Sequence, residues 1–272
     1  MLTQRQRQHF DSFGFVLLRQ LFDAGEMDTL RREFEIGLES KYRHAPFDGT
    51  RMHHTYLMES NTPFFASLLE DERFASVAES LGGSDILGIN ATGNRHVGNT
   101  PWHADTDSYH QYGVKFVFYF DPLTAANGAL RVVPGSHRRP YFEQMREFTS
   151  IHQIPDGSTI DEVPAFGIES EPGDVIVFDH RLSHASRGGR DDRRLGAVVY
   201  YHNPATPEEE KALRWAFHKR KKSDLEKFGL SVGPWYDADW WSAPNPSPRR
   251  LRWRQRLESL DFFSPLNDQV TE

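Results

Sequence analysis

The chain has 272 residues, 38% hydrophobic and 26% charged, with a formal net charge of −7 and no cysteine. That length and apolar content support a sizeable core and exclude global disorder. The acidic balance excludes a generally basic nucleic-acid footprint, and the lack of cysteine excludes disulfides, thiolate nucleophiles and cysteine-held zinc.

The first residues, MLTQRQRQHFDSFGF, carry no apolar signal core, and no run approaches the roughly 18 apolar residues of a membrane span. The expectation is a cytoplasmic protein with neither membrane nor nucleic acid as partner. Thr3 caps a short helix over 3–13, and GFVLLRQLF (14–22) reads as a buried strand. Asp23 caps a second helix, whose Met27, Leu30, Phe34 and Leu38 form one apolar stripe. Residues 62–83 read as helical turns ended by Gly82 and Gly83. From Ile86 to Tyr201 the texture changes to short β-rich runs, clearest at 114–121, 128–135, 174–179 and 195–202, broken by turn residues such as PLTAANG and EPGD. With no βαβ alternation, these strands predict an antiparallel barrel or jelly roll. Beyond Pro204, Thr206 caps a further helix that opens with three glutamates, and a tail rich in Trp and Pro follows. The basic run HKRKK (218–222) is expected as a solvated helix face, and the Trp-rich tail as packing, a lid or a dimer contact. The organisation expected is one mainly β domain with flanking helices: a helical N-terminal part (about 1–85), a jelly-roll core (about 86–203) and a helical C-terminal extension (about 204–272).

The stretch TPWHADTDSYH (100–110) concentrates two histidines and two aspartates. Residues i and i+2 of a strand share a face, so His103 and Asp105 can bind one ion side by side. Alone the pair is weak, because a His-x-Asp arises by chance in a chain with 13 histidines. A second segment, GDVIVFDHRLSHASRGGRDDRRLGAVVYY (173–201), reads as turn, strand, histidine-bearing loop and a strand that opens with arginines. A histidine from it, His180 or His184, completes two imidazoles and one carboxylate on one face of an ion. Non-haem Fe(II) oxygenases use that arrangement, which leaves the remaining positions open.

TPWHADTD, GALRVVPGSH, GDVIVFDHRLSHAS and RRLGAVVYY, in that order, resemble the phytanoyl-CoA dioxygenase family of Fe(II)/2-oxoglutarate oxygenases; QRQHFDSFGFVLLRQLF resembles that family's N-terminal segment. The resemblance spans about residues 3–203 and does not explain the tail. It implies a double-stranded β-helix core of cupin-like form, with Fe(II) held by His103, Asp105 and His184. It also implies that Arg194, ten residues after the distal histidine, binds the far carboxylate of 2-oxoglutarate, which a guanidinium can grip through two parallel bonds. Arg193 is the rival, because strand alternation lets only one of the two point inward; the match of LGAVVYY to the family favours Arg194. Ser186, in the family's His-x-Ser, is expected to add a hydroxyl donor to the same carboxylate, and Asn90 a hydrogen bond to 2-oxoglutarate. Arg131, Asp107 and Trp102 are candidate substrate contacts, and Lys115 is a candidate lining residue. His180 is expected to be structural, His110 to lie at the rim, and His137 not to be a ligand. In the family's halogenase branch a small residue stands where Asp105 stands here, so the carboxylate points to hydroxylation.

The activity this implies is hydroxylation of an unactivated C–H in a small organic substrate, using Fe(II), 2-oxoglutarate and O2 and releasing succinate and CO2, by a monomer or homodimer. Two rival readings are a catalytically idle jelly-roll module that binds metal or ligand, and a zinc hydrolase on the same ligands that works without O2.

Overall fold

A computed structural model describes residues 2–83, 85–151, 163–189, 191–228 and 245–264. Local capping sets the first elements. Thr3 and Gln6 bond reciprocally, the Gln6 amide donating to Thr3 Oγ1 at 3.2 Å and the Thr3 amide to Gln6 Oε1 at 2.8 Å. Helix α1 (Gln4–Phe13) starts there and stops at Gly14, whose φ of 83° suits glycine. After β1 (Phe15–Leu18), Asp23 and Glu26 form the same reciprocal cap for α2 (Ala24–Lys41), and its Met27, Leu30, Phe34 and Leu38 are all buried, as their spacing predicts. Then come β2 (His53–Tyr56), α3 (Pro63–Ser67), α4 (Glu72–Gly82), β3 (Ile86–His96), β4 (Thr100–His103), β5 (Gly113–Tyr119), β6 (Leu130–Val132), α5 (Tyr141–Ile151), β7 (Phe166–Ile168), β8 (Val175–Asp179), β9 (His184–Ser186) and β10 (Arg193–His202). Helices α6 (Pro207–Phe228) and α7 (Pro248–Ser259) complete the described chain. Among the described residues no helix is long and apolar enough to cross a membrane.

The strands form two antiparallel sheets. The larger has the order β1-β8-β5-β10-β3-β2, and the smaller β4-β9-β6-β7. Period-two alternation gives each strand of the larger sheet two buried faces. Val117, Tyr119, Ile176, Phe178, Leu195 and Ala197 meet Leu130, Val132 and Ile168 of the smaller sheet. Phe116, Phe118, Val175, Val177, Val198 and Tyr200 point the other way, into a core completed by Leu30, Phe34 and Phe74 of the flanking helices. The result is the jelly-roll core with flanking helices that the chain's texture predicts. In the N-terminal part, β1, the strand expected within 14–22, and β2, which the sequence did not single out, both join the larger sheet, one at each edge.

The C-terminal elements dock on this core. Trp253 of α7 is buried flat against Gly88 of β3, where any Cβ would strike its ring. Arg249 pairs with Glu72 and Glu79, and Arg250 with Glu70. Trp235, Trp240 and Trp241 of the Trp-rich tail lie outside the described residues.

Candidate metal centre and co-substrate pocket

Strands β4 and β9 pair so that His103 stands directly opposite His184, their ring centroids 4.2 Å apart. The chain then turns, and the Asp105 amide donates to the His180 carbonyl at 2.8 Å, which swings the carboxylate back toward both rings. Asp105 Oδ1 lies 4.0 Å from His103 Nε2 and 3.9 Å from His184 Nε2, and one ligand atom from each residue falls within 4.8 Å of the others.

The backbone orients both imidazoles. His103 Nδ1 donates to the Pro101 carbonyl at 2.8 Å, and His184 Nδ1 to the Leu182 carbonyl at 2.9 Å. Each ring therefore turns its Nε2 lone pair toward the carboxylate, as a metal ligand requires. Burial, helped by His103, lowers His184 to about 3, so its ring is neutral. Burial alone would raise the Asp105 carboxyl, but Lys115, His184 and His103 outweigh it and hold it well below the usual carboxylate range. Lys115 Nζ lies 3.1 Å from Asp105 Oδ2 and 3.4 Å from Oδ1, so the cation favours the oxygen that is not turned to the histidines. Neutral imidazole and ionised carboxylate are the forms that bind a divalent ion, and this set fits one.

His180, the rival of His184, is not in this cluster. It is buried under Gly113, with its ring edge-on to Tyr201 at 4.7 Å, and burial lowers it to about 4.

The two arginines are corrected by the sheet register. Arg193 pairs with His96 of β3, and Leu195 with Tyr119 of β5. Arg193, Leu195 and Ala197 therefore face the smaller sheet, and Arg194 faces away from it. Arg194, expected as the anchor, forms ion pairs with Asp121 at 3.1 Å and Glu35 at 3.2 Å on the outer side. Arg193 is 4% exposed. Its Nη2 donates to Thr100 Oγ1 at 3.1 Å and its Nη1 to the Gly98 carbonyl at 3.3 Å, while Nε has no partner. Burial lowers its pKa, and no carboxylate pairs with it among the described residues. Gly128 and Gly189 make the room: a Cβ on either would press on the guanidinium.

A buried cation without a counter-ion carries a penalty of several kcal/mol that a bound anion offsets. Ser186, paired with Thr100 across β9 and β4, is buried beside this position with its hydroxyl unpartnered. It lies two residues past His184 on β9, about 7 Å along the strand, a distance that suits a five-carbon dicarboxylate reaching from the ion to Arg193. Asn90 is on the inner face of β3, buried, with Oδ1 unpartnered. His96, which its sequence position gave no reason to single out, is opposite Arg193; burial, Arg193 and Lys115 lower it to about 3.

The three candidate substrate contacts are placed elsewhere. Trp102 packs with Val133, Met145 and Ala185 on the outer face of the smaller sheet. Arg131 stands opposite Ala185 and Gly167, its inward neighbours being Leu130 and Val132, and it donates to the Ala125 carbonyl at 3.1 Å. In both, strand parity turns the side chain away from the ligand cluster. Asp107 is held by Lys219 of α6.

A three-ligand cluster at the open end of a jelly roll, with a buried lone arginine behind it, defines a candidate mononuclear metal oxygenase site. Residues 10–195 match the family described as phytanoyl-CoA dioxygenase, and the chain belongs to that family. Ectoine dioxygenase of Sphingopyxis alaskensis is 25% identical over 218 residues, covering 69% of this chain and 71% of its own. Ectoine dioxygenase of Stutzerimonas stutzeri is 24% identical over 228 residues, covering 72% and 75%. Among solved structures, EctD from S. alaskensis with 2-oxoglutarate and 5-hydroxyectoine superposes with a TM-score of 0.56 and 25% identity, covering 74% of this chain and 77% of that one. HygX from Streptomyces hygroscopicus with nickel and 2-oxoglutarate shares the fold, with a TM-score of 0.58, 24% identity and coverage of 74% and 87%.

Proposed function

We propose that this chain is a single-domain Fe(II)- and 2-oxoglutarate-dependent oxygenase that hydroxylates a C–H of a small organic molecule. The observation that carries the reading is the pairing of a His-Asp-His cluster with a buried Arg193 that has no carboxylate partner among the described residues. A redox-inert hydrolase has no use for a buried anion anchor set behind its ion. In this reading His103, Asp105 and His184 hold the iron, and Arg193, Thr100 and Ser186 hold the far carboxylate of 2-oxoglutarate. Bound Fe(II) and 2-oxoglutarate supply the means to reduce O2, coupling loss of CO2 and formation of succinate to oxidation of the substrate. The chain's own residues do the positioning. The Pro101 and Leu182 carbonyls fix the imidazoles, Lys115 keeps Asp105 ionised, and Phe178, 4.8 Å from the His184 ring, screens that ligand from water. Asp105 fills the position a halide would need, which supports hydroxylation. The matched relatives named as ectoine dioxygenases make ectoine a reasonable first compound among small-molecule candidates.

The test is succinate formation by the full chain. The expected result is turnover that requires Fe(II), 2-oxoglutarate and O2 together. Wild type that binds no 2-oxoglutarate would support the idle module, and activity that persists without O2 would support a hydrolase.

A further inference from the structure

Helix α6 lies beyond the residues that match the family, yet it presents a charged group to the inner face of the larger sheet. Arg220 leaves α6 toward β2. Its Nη2 donates to His54 Nε2 at 3.3 Å; its Nε lies 3.4 Å from the Tyr56 hydroxyl and 3.1 Å from Asp224 Oδ1. These contacts are mutually braced. His54 Nδ1 donates to Asn94 Oδ1 at 2.8 Å, which fixes Nε2 as an acceptor, and the Tyr56 hydroxyl donates to Asp224 Oδ2. His54, Tyr56 and Asp224 are buried, but the Arg220 side chain is 49% exposed. The guanidinium is thus held on one edge by buried groups and exposed on the other. Among the described residues Nη1 has no partner.

The β2 residues that hold Arg220 share the inward face of the larger sheet, which also faces the metal cluster. His54 and Tyr56 pair with Asn94 and Thr92 of β3, which in turn pair with the inward-facing Leu195 and Ala197. Tyr201, edge-on to His180, is near enough to feel both groups: burial raises its phenol, Asp105 raises it further, and Arg220 lowers it. A second tie joins α6 to the segment that carries the metal cluster, because Lys219 holds Asp107, two residues after Asp105.

The charge inventory indicates what the site accepts. Its described residues set Arg193, Lys115 and Arg220 against Asp105 and Asp224. A divalent ion and the dianion of 2-oxoglutarate cancel, leaving one positive charge in surplus; Lys115 is engaged with Asp105 and Arg193 is assigned to the dianion, while Arg220, braced by Asp224 on one edge, keeps its exposed edge for a further anion. We propose that Arg220 is the specificity-determining residue of this site, and that it anchors a small substrate through an anionic oxygen group, a carboxylate or a phosphate. This inference rests on the oxygenase reading above.

The test uses the full chain with Fe(II), 2-oxoglutarate and O2, and reads succinate release stimulated by matched compounds. Small carboxylic acids are set against their methyl esters and amides, and phosphate monoesters against the parent alcohols. The expected result is stimulation by one anionic series and not by its neutral counterparts. Arg220→Gln then lowers kcat/KM for the stimulating compound by about 100-fold, chiefly through KM, and Arg220→Lys recovers part of the loss. The acid and phosphate arms tell the two sources of the anion apart. Neutral compounds that stimulate as well as the acids and phosphates, a panel in which no anion stimulates, or an Arg220→Gln variant within about threefold of wild type would each overturn the inference. Equilibrium dialysis of 2-oxoglutarate against the Fe(II) protein without O2 keeps the two failures apart. Binding with no preference for anions rejects only the role of Arg220, whereas no binding rejects the oxygenase reading.

Discussion

Arg193→Ala is expected to weaken 2-oxoglutarate binding by about 100-fold or more, while Arg194→Ala leaves it within about threefold. The two neighbours differ in what surrounds them. Arg193 is buried and, among the described residues, its guanidinium donates to a hydroxyl and a carbonyl and has no carboxylate partner, so an incoming dicarboxylate gains a fully desolvated ion pair. Arg194 already faces Asp121 and Glu35 on the outer side, and loss of such part-exposed pairs costs about 0–1 kcal/mol of stability. Arg193→Lys separates charge from geometry: it keeps the cation but loses the planar fork, so it falls between wild type and alanine. Titration of 2-oxoglutarate into the Fe(II) protein without O2 measures all three. A large loss in Arg194→Ala with none in Arg193→Ala would reverse the assignment.

His184→Ala and His103→Ala are each expected to lower Fe(II) affinity by at least about 100-fold and to abolish turnover. Loss of a group that merely supports a ligand costs 10–100-fold, and loss of a bond to the ion costs more. His180→Ala is the informative control. Its ring is four residues from His184 and faces the same interior, but it packs against Gly113 and Tyr201 and is not in the ligand cluster. It is expected to retain one iron per chain, at a cost in stability from the cavity it leaves. Metal content after dialysis against Fe(II) reads the difference. Equal loss in His180→Ala and His184→Ala would show that the cluster is drawn wrongly.

Much of this was legible in the amino-acid order. The N-caps Thr3 and Asp23, the apolar stripe from Met27 to Leu38 and the alternating strands are local patterns, and the structure carries them. His103, Asp105 and His184 could be joined because parity within a strand and a second histidine-bearing segment pointed to one ion. What was not legible depends on pairing between distant strands. Nothing local decides whether Arg193 or Arg194 turns inward; the register of β10 with His96 of β3 and Tyr119 of β5 does. The faces of Trp102 and Arg131 depend on pairing in the same way: nearness of Trp102 to His103 in sequence does not set its face, and the parity of β6 turns Arg131 outward. The run HKRKK resembled a solvated face because its tertiary partners are far away in sequence. Lys219 meets Asp107, Arg220 meets His54 and Tyr56, and the ammonium of Lys221 is buried, donating to the carbonyls of Asp261 and Ser264.

The most direct measurement of the central claim is the fate of oxygen. Turnover under ¹⁸O₂ with Fe(II), 2-oxoglutarate and a stimulating substrate is predicted to place one labelled atom in each succinate, with CO2 and succinate formed in equal amounts. Succinate without label, or product formed at the same rate when O2 is absent, would contradict the assignment of this site to oxygen chemistry.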